Sequence, residues 1–324
     1  MTSDIYVLIE HLQGSVTEIS YMMLAAGHEL AEAVGGEVVG LLLGENAQAM
    51  AETLAADRVI YVDHPELSGF TPEAYHRVIA ALIESGSPRA VLMGETSIGA
   101  DVAGGLSAQL NIPLISLCRT VRADGDKCLY VSQICGGKIL AEGEIPGPTC
   151  LITMVPGQYK AEDGQSDKAP PVDEVPAPEM GGLRISLKDY IAPEVGDVDI
   201  VREPVLVAVG RGIQQEMNLE YAEELAGEID AQICASRPVV DQGWLGISRL
   251  VGKSGNRISP KILLSMGVSG APEHAEGIGD TELFIAINTD PKAPIFDIAK
   301  YGAEADLFEL VPALTEKIKQ AKGG

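Results

Sequence analysis

Aromatic residues are scarce in this chain: four Phe, nine Tyr and one Trp among 324 residues, or 4%. A single-stranded nucleic-acid platform stacks bases on such rings, so that function class is set aside. Basic residues are few too, with 23 Lys and Arg against 47 Asp and Glu, a formal charge of −24. A polyphosphate backbone or an anionic bilayer surface would be repelled. No apolar run approaches the roughly 20 residues that cross a bilayer. The N-terminus passes at once into the strand-like Ile5-Tyr6-Val7-Leu8-Ile9, without the segments of a signal or transit peptide. Cys118, Cys128, Cys135, Cys150 and Cys234 form no C-x-x-C pair, and no His stands at zinc-finger spacing from them. Scattered thiols of odd number point to a reducing compartment and to buried, inert side chains. The expectation is a soluble, cytoplasmic protein without a metal site.

What is present is aliphatic. Hydrophobic residues make up 46% and charged residues 22%, a globular composition. With so few rings, the cores must be Val, Ile, Leu and Ala, the usual filling of parallel sheets under helices. At about 150 residues per domain, the length suggests two domains.

The first half alternates strand and helix. Strands are read at 5–9, 37–43, 58–62 and 90–93, and helices at 20–33, 46–56, 72–85 and 98–110. That alternation means βαβ units and a doubly wound, mostly parallel sheet. From Cys118 to Met154, short β-rich runs at 129–134, 138–140 and 150–153 suggest an antiparallel extension. Residues 157–203 read as an extended linker, because the Pro-, Asp- and Glu-rich stretch from Gly157 to Gly182 holds too little apolar surface to order itself. The second unit opens on the apolar strand Val205–Val209 and continues with a helix at 219–228 and strands at 232–235, 262–268 and 284–287. An amphipathic helix at 307–319 closes it. The reading is therefore α/β, with domains at 1–156 and 204–324.

Two phosphate-loop lookalikes fail on inspection. Gly210-Arg211-Gly212 follows a strand, but Gln215 stands where a dinucleotide fingerprint needs its third glycine. Gly252-Lys253-Ser254 resembles the end of a Walker A loop, yet residue 247 is Ile instead of Gly. The stretch from Gly267 to His274 is more informative. It closes an apolar strand at the carboxyl edge, where open α/β sheets bind ligands, and its small residues let backbone amides approach an anion. An ordinary tight β–α turn with a capping histidine has the same pattern. Ser236-Arg237, Asn288 and Asp306 also sit at element ends; they read either as a loop, a turn residue and a helix cap, or as a ring around a nucleotide. No nucleophilic triad or metal-spaced carboxylate cluster is convincing, so chemistry would have to come from a cofactor.

These residues resemble the alpha subunit of electron transfer flavoproteins. The likeness is dense from about residue 205 onward: Gly210 to Ile213, Ala235-Ser236-Arg237 through Trp244, Val251 to Gly255, Gly267 to His274, Ala286 to Phe296, and Tyr301-Gly302 with Asp306-Leu307-Phe308. Over residues 1–155 it rests on element order and on Tyr130 to Gly137. The resemblance implies a heterodimer with a beta subunit, carrying FAD on a Rossmann-like second domain. It would shuttle electrons from an acyl-CoA-type dehydrogenase, as in fatty acid β-oxidation, or another dehydrogenase to a quinone reductase or ferredoxin. That is an electron carrier, unless it belongs to an NADH-oxidising bifurcating complex with a second FAD in the partner. It further implies FAD contacts from Arg211, Ser236, Arg237, Val251, Gly252, Lys253, Ser254, Ser269, Gly270, Ala271, Pro272, Glu273, His274, Asn288, Asp306 and Leu307. Arg237 would lie by the isoalloxazine ring, Ser254 near N5 and His274 near the O2 edge. Lys253 and Pro272-Glu273 depart from the family pattern; Lys253 is expected to add a cation near the ring, and Glu273 an anion near His274.

Overall fold

Alternating apolar strands and amphipathic helices divide the chain into two units, residues 1–190 and 191–324. The computed structural model describes residues 2–124, 127–135, 137–190, 198–279 and 281–322.

The first unit is built on a nine-stranded sheet. In chain order its strands are β1 (Ile5–Ile9), β2 (Val38–Gly44), β3 (Arg58–Asp63), β4 (Ala90–Gly94), β5 (Leu114–Asp124), β6 (Lys127–Ile134), β7 (Ile139–Glu144), β8 (Cys150–Met154) and β9 (Val172–Glu174). They lie in the order β9-β3-β2-β1-β4-β8-β5-β6-β7. Only the β5–β6 and β6–β7 pairings are antiparallel. Helices α1 (Glu18–Val34), α2 (Pro72–Gly86) and α3 (Ser97–Leu110) cover it. Alternation along β1 explains the layering. Ile5, Val7 and Ile9 pack with Met23, Leu24 and Leu30 of α1, while Tyr6 and Leu8 join Val78, Ile79 and Leu106 of α2 and α3. A sheet buried on both faces needs the continuous apolar runs seen in β1, β2, β4 and β8.

The second unit has a five-stranded parallel sheet of β10 (Val205–Val209), β11 (Gln232–Ala235), β12 (Ile262–Met266), β13 (Leu283–Asn288) and β14 (Tyr301–Glu304), in the order β11-β10-β12-β13-β14. One face packs Val207, Val209, Leu264 and Met266 against α4 (Leu219–Glu228) and α7 (Leu307–Lys322). The other face carries Leu206, Ala208, Leu263 and Ala286 beneath loop residues Val251, Ile258, Val268 and Ile295.

Several expectations are corrected. The Ala-rich stretch expected as a helix at 46–56 forms only a 3-10 turn, Gln48–Thr53. Cys150–Met154 is no part of the antiparallel extension; it lies parallel between β4 and β5, because its run of five buried residues suits a central strand. That extension is instead β5, β6 and β7, and β5 was not anticipated. The Pro-rich stretch is extended but engaged: β9 adds to the edge beside β3, and residues 157–190 belong to the first unit. Residues 191–197 of the expected linker, and Gly136, lie outside the described residues. Cys135 is exposed, unlike the four other thiols. Among the described residues, no helix is long and apolar enough to cross a membrane.

Candidate functional site

In an open α/β sheet, ligands bind beyond the carboxyl ends of the strands, where the strand order reverses. Each unit has one such point. In the first it lies between β1 and β4 and is filled by the protein's own acids. Glu10, only 3% exposed, follows β1, and Thr96 Oγ1 donates to both its oxygens at 3.0 and 2.8 Å. The same Thr96 oxygen caps α3 by accepting from Gly99 N at 2.9 Å. Burial pushes the Glu10 carboxyl up to about 7, against the opposing Thr96 hydroxyl bond. Glu95, after β4, accepts from Leu117 N at 3.2 Å and from the Thr153 hydroxyl.

The second reversal lies between β10 and β12, and backbone alone closes it. Gly210 N donates to Met266 O at 2.9 Å and Gly212 N to Gly267 O at 3.0 Å. A Cβ on Gly212 would stand 2.6 Å from Gly267 Cα, so the two loops touch with no room for side chains. Gly270 (φ +80°) lets the chain turn back, where a Cβ would sit 2.2 Å from Ile295 N. The amides of Ser269, Gly270 and Ala271 have no backbone acceptor among the described residues. Pro272–Ala275 then forms one short helical turn, α6.

His274 is a buried polar group of this edge, at 6% exposure. Its Nδ1 lies 3.0 Å from Val251 O, and its Nε2 has no hydrogen-bond partner. Burial lowers its pKa, with the Val251 carbonyl opposing the shift. The facing loop is stitched to α6. Lys253 N donates to Glu273 O at 2.7 Å, and Gly252 (φ +142°) leaves the space this contact needs. Arg237, just after β11 in α5 (Arg237–Asp241), has its guanidinium held on two sides. Its Nε reaches Asp241 Oδ1 at 3.1 Å, and its Nη1 donates to Ser254 Oγ at 3.2 Å.

The remaining expected residues reach the same carboxyl edge in more structural roles. Ser236 is buried and its amide continues the β10 ladder by donating to Val209 O. Asn288 Nδ2 donates to Val268 O at 2.8 Å, tying the end of β13 to the Gly267 loop. Asp306 caps α7 by accepting from Phe308 N at 2.9 Å. Leu307 is buried in the core beside Gly267. Arg211 is exposed on the turn after β10.

Residues 5–180 match the Electron transfer flavoprotein domain and residues 199–279 the Electron transfer flavoprotein FAD-binding domain. The chain belongs to the electron transfer flavoprotein family. It is 31% identical to the Electron transfer flavoprotein subunit alpha of Bacillus subtilis, covering 99% of this chain and 98% of that one. It is 32% identical to the Methylophilus methylotrophus alpha subunit, covering 98% and 99%. A 30% identical relative, covering 97% of this chain and 77% of its own, is the Acetobacterium woodii lactate dehydrogenase (NAD(+),ferredoxin) subunit LctC. As an alpha subunit, the chain pairs with a beta subunit, carries FAD and transfers electrons. The second unit fits that cofactor: glycines allow close approach, amides stand without a backbone acceptor among the described residues, and a buried imidazole nitrogen is unpartnered.

Two acids of this alpha subunit escaped the sequence reading. Asp241 grips Arg237, and the i,i+4 spacing within one helix was the available signal. Glu276 pairs with Lys253 at 3.7 Å. The anion expected beside His274 is not what governs that ring. Glu273 is exposed, burial sets the imidazole's shift, and Glu273 serves through its backbone carbonyl.

Proposed function

We propose that the FAD of this alpha subunit lies along the carboxyl edge of the second unit's sheet, over the β10–β12 reversal. The observation that carries this is His274, whose Nε2 is buried and unpartnered; leaving such an atom unsatisfied costs about 1–3 kcal/mol. In this reading the Gly210–Gly212 and Gly267–Ala271 backbones receive the cofactor's anionic part, with Arg211 and Lys253 as exposed cations. Val251 and Gly252 line the floor. Arg237, Ser254 and His274 face the redox ring. Asn288, Asp306 and Leu307 hold the loops in place, Ser236 begins α5, and Pro272 and Glu273 form the turn that presents His274.

FAD supplies the electron-accepting chemistry when bound. The protein's part is orientation and electrostatics: a fixed guanidinium from Arg237, a hydroxyl from Ser254, and an imidazole buried away from water. The electrons come from a dehydrogenase of the acyl-CoA or a similar type and go to a quinone reductase or ferredoxin. The four buried thiols favour a cytoplasmic setting. Purification of the heterodimer tests the site. His274→Ala and Arg237→Ala should each lower FAD retention or alter the bound-flavin spectrum, and unchanged affinity and spectra in both would remove the assignment.

A second reading is favoured by the likeness to the Acetobacterium woodii subunit, whose name joins NAD(+) and ferredoxin. In it, the heterodimer bifurcates electrons with a second FAD in the beta subunit. Two FAD per heterodimer and NADH-dependent flavin reduction would select it; one FAD and no reaction with NADH would select the simple carrier.

A further inference from the structure

Gln214, two residues after Gly212, has φ +67° and ψ −42°. Those angles lie outside the left-handed helical well and belong to the γ-turn with a positive central φ, a rare and strained form. The bond that defines such a turn is present, since Gln215 N donates to Ile213 O at 2.8 Å. Glycine would take this shape freely, whereas glutamine takes it at a cost. A strained residue persists only where its surroundings over-determine it, and such residues cluster at functional sites.

Three contacts hold Gln214 in place. Ile213 is fully buried in the core that α4 covers, which fixes one end of the turn. Gln214 N donates to Arg211 O at 3.0 Å. The third contact comes from Asn218, the residue just before α4. An asparagine there ordinarily caps the helix by accepting from an amide of its first turn. Asn218 makes no such bond. Its Nδ2 reaches back instead and donates to Ile213 O at 2.8 Å, beside the bond from Gln215 N. A carbonyl oxygen has two lone pairs, and here both are engaged. The side chain is diverted from the helix to the loop.

We propose that Asn218 is a positioning residue for the cofactor: through Ile213 O it holds the loop from Gly210 in the strained shape that brings Gly212 N to Gly267 O, so that the edge receiving FAD is formed before FAD arrives. This inference rests on the siting of FAD given above and adds the residue that keeps its loop in shape. Without the Asn218 amide the turn relaxes, and the apparent affinity for FAD falls in proportion to the fraction of molecules that keep the competent loop. The strain at Gln214 is what the Asn218 bond opposes. A residue that is unstrained at position 214 therefore removes the need for that bond.

The test is a double-mutant cycle on FAD binding to the FAD-depleted heterodimer, followed by flavin fluorescence. Asn218→Ala should weaken binding about tenfold, the scale of one lost hydrogen bond. Asn218→Asp keeps the volume and a good helix-start residue but loses the donor, so it should weaken binding at least as much even if the alanine variant folds poorly. Gln214→Gly alone should stay within about threefold of wild type. Combined with Asn218→Ala, it should bring the affinity back to within about threefold of wild type, a coupling that independent sites do not show. A role in stability alone would lower the melting temperature of the FAD-free heterodimer and leave FAD affinity untouched, or give a loss that Gln214→Gly does not repair; either result overturns the proposal. Gly212→Ala separates this from a failure of the siting. If it loses FAD while both Asn218 variants bind as wild type does, the role of Asn218 fails and the site stands. If all three bind FAD as wild type does, the siting itself fails.

Discussion

At the scale of single residues, the molecule places its costly groups at the two sheet reversals and treats them differently. Glu10 is satisfied by Thr96 but still resists ionisation, with its pKa raised from 4.5 to about 7 by burial. A folded pKa above the unfolded one means this residue's contribution is full below about pH 4.5 and is lost as pH rises through about 7. The loss is about 2–4 kcal/mol for a shift of this size. Glu10→Gln should therefore raise the melting temperature by several degrees at pH 8 and change it little at pH 5, as read by thermal denaturation. Arg237 gives a second prediction. Its pair with Asp241 is solvent-exposed, so Asp241→Asn should leave stability within about 0.5 kcal/mol of wild type. Removing that negative charge beside the guanidinium should still make the bound flavin easier to reduce, an upward shift visible in potentiometric titration.

At the scale of elements, the second unit's site depends on how closely two loops can meet. Gly210 and Gly212 after β10 touch Gly267 after β12 through backbone atoms alone. Gly212→Ala would push a methyl to 2.6 Å from Gly267 Cα and must separate the loops. The expected result is loss of most bound FAD from the purified heterodimer, measured by absorbance. The far-UV circular dichroism should stay near wild type, because the ladders of β10 to β14 lie outside the contact. The opposite face of this sheet carries Leu206, Ala208 and Ala286 under loops instead of a long helix, and the small residues let that cover lie close. In the first unit the Pro-rich stretch acts as an edge: β9 caps β3, and Arg184 and Glu73 form an ion pair that holds the following segment. An edge strand so covered is less open to pairing with other chains.

At the scale of the whole molecule, negative charge is spread over both units. Residues 1–190 hold 26 acidic against 11 basic residues and residues 191–324 hold 21 against 12, so each unit is acidic by itself, while the proposed FAD site's neighbourhood includes Arg211, Arg237 and Lys253. An electron carrier must meet its redox partners quickly and leave them, and long-range charge raises on-rate more than it lengthens residence. Basic docking faces on the partners are therefore expected. Second-order electron-transfer rates should fall as ionic strength rises from about 0.01 to 0.15 M, over which the screening length shortens from about 30 to 8 Å. Stopped-flow reduction across that range checks the prediction, and rates that rose with salt would contradict it.

Much of this was legible along the chain. Continuous apolar runs bounded by turn residues disclosed the central strands, since a strand buried on both faces tolerates little else, and the order of motifs after residue 205 disclosed the family. The scarcity of rings and of positive charge set the expectation that nucleic acid and anionic membranes are not its partners. Other features exist only once strands are neighbours. Cys150–Met154 looked like part of an antiparallel extension because β-propensity carries no information about direction; long-range pairing set it parallel between β4 and β5. Glu10 became an acid with a pKa near 7, and Asp241 and Glu276 became partners of Arg237 and Lys253, through contacts made in the folded chain. His274 could be read as a cap or as a ligand; what separates the two is whether Nε2 has a partner. That depends on burial and on the Val251 carbonyl across the loop, which are properties of packing and not of order along the chain.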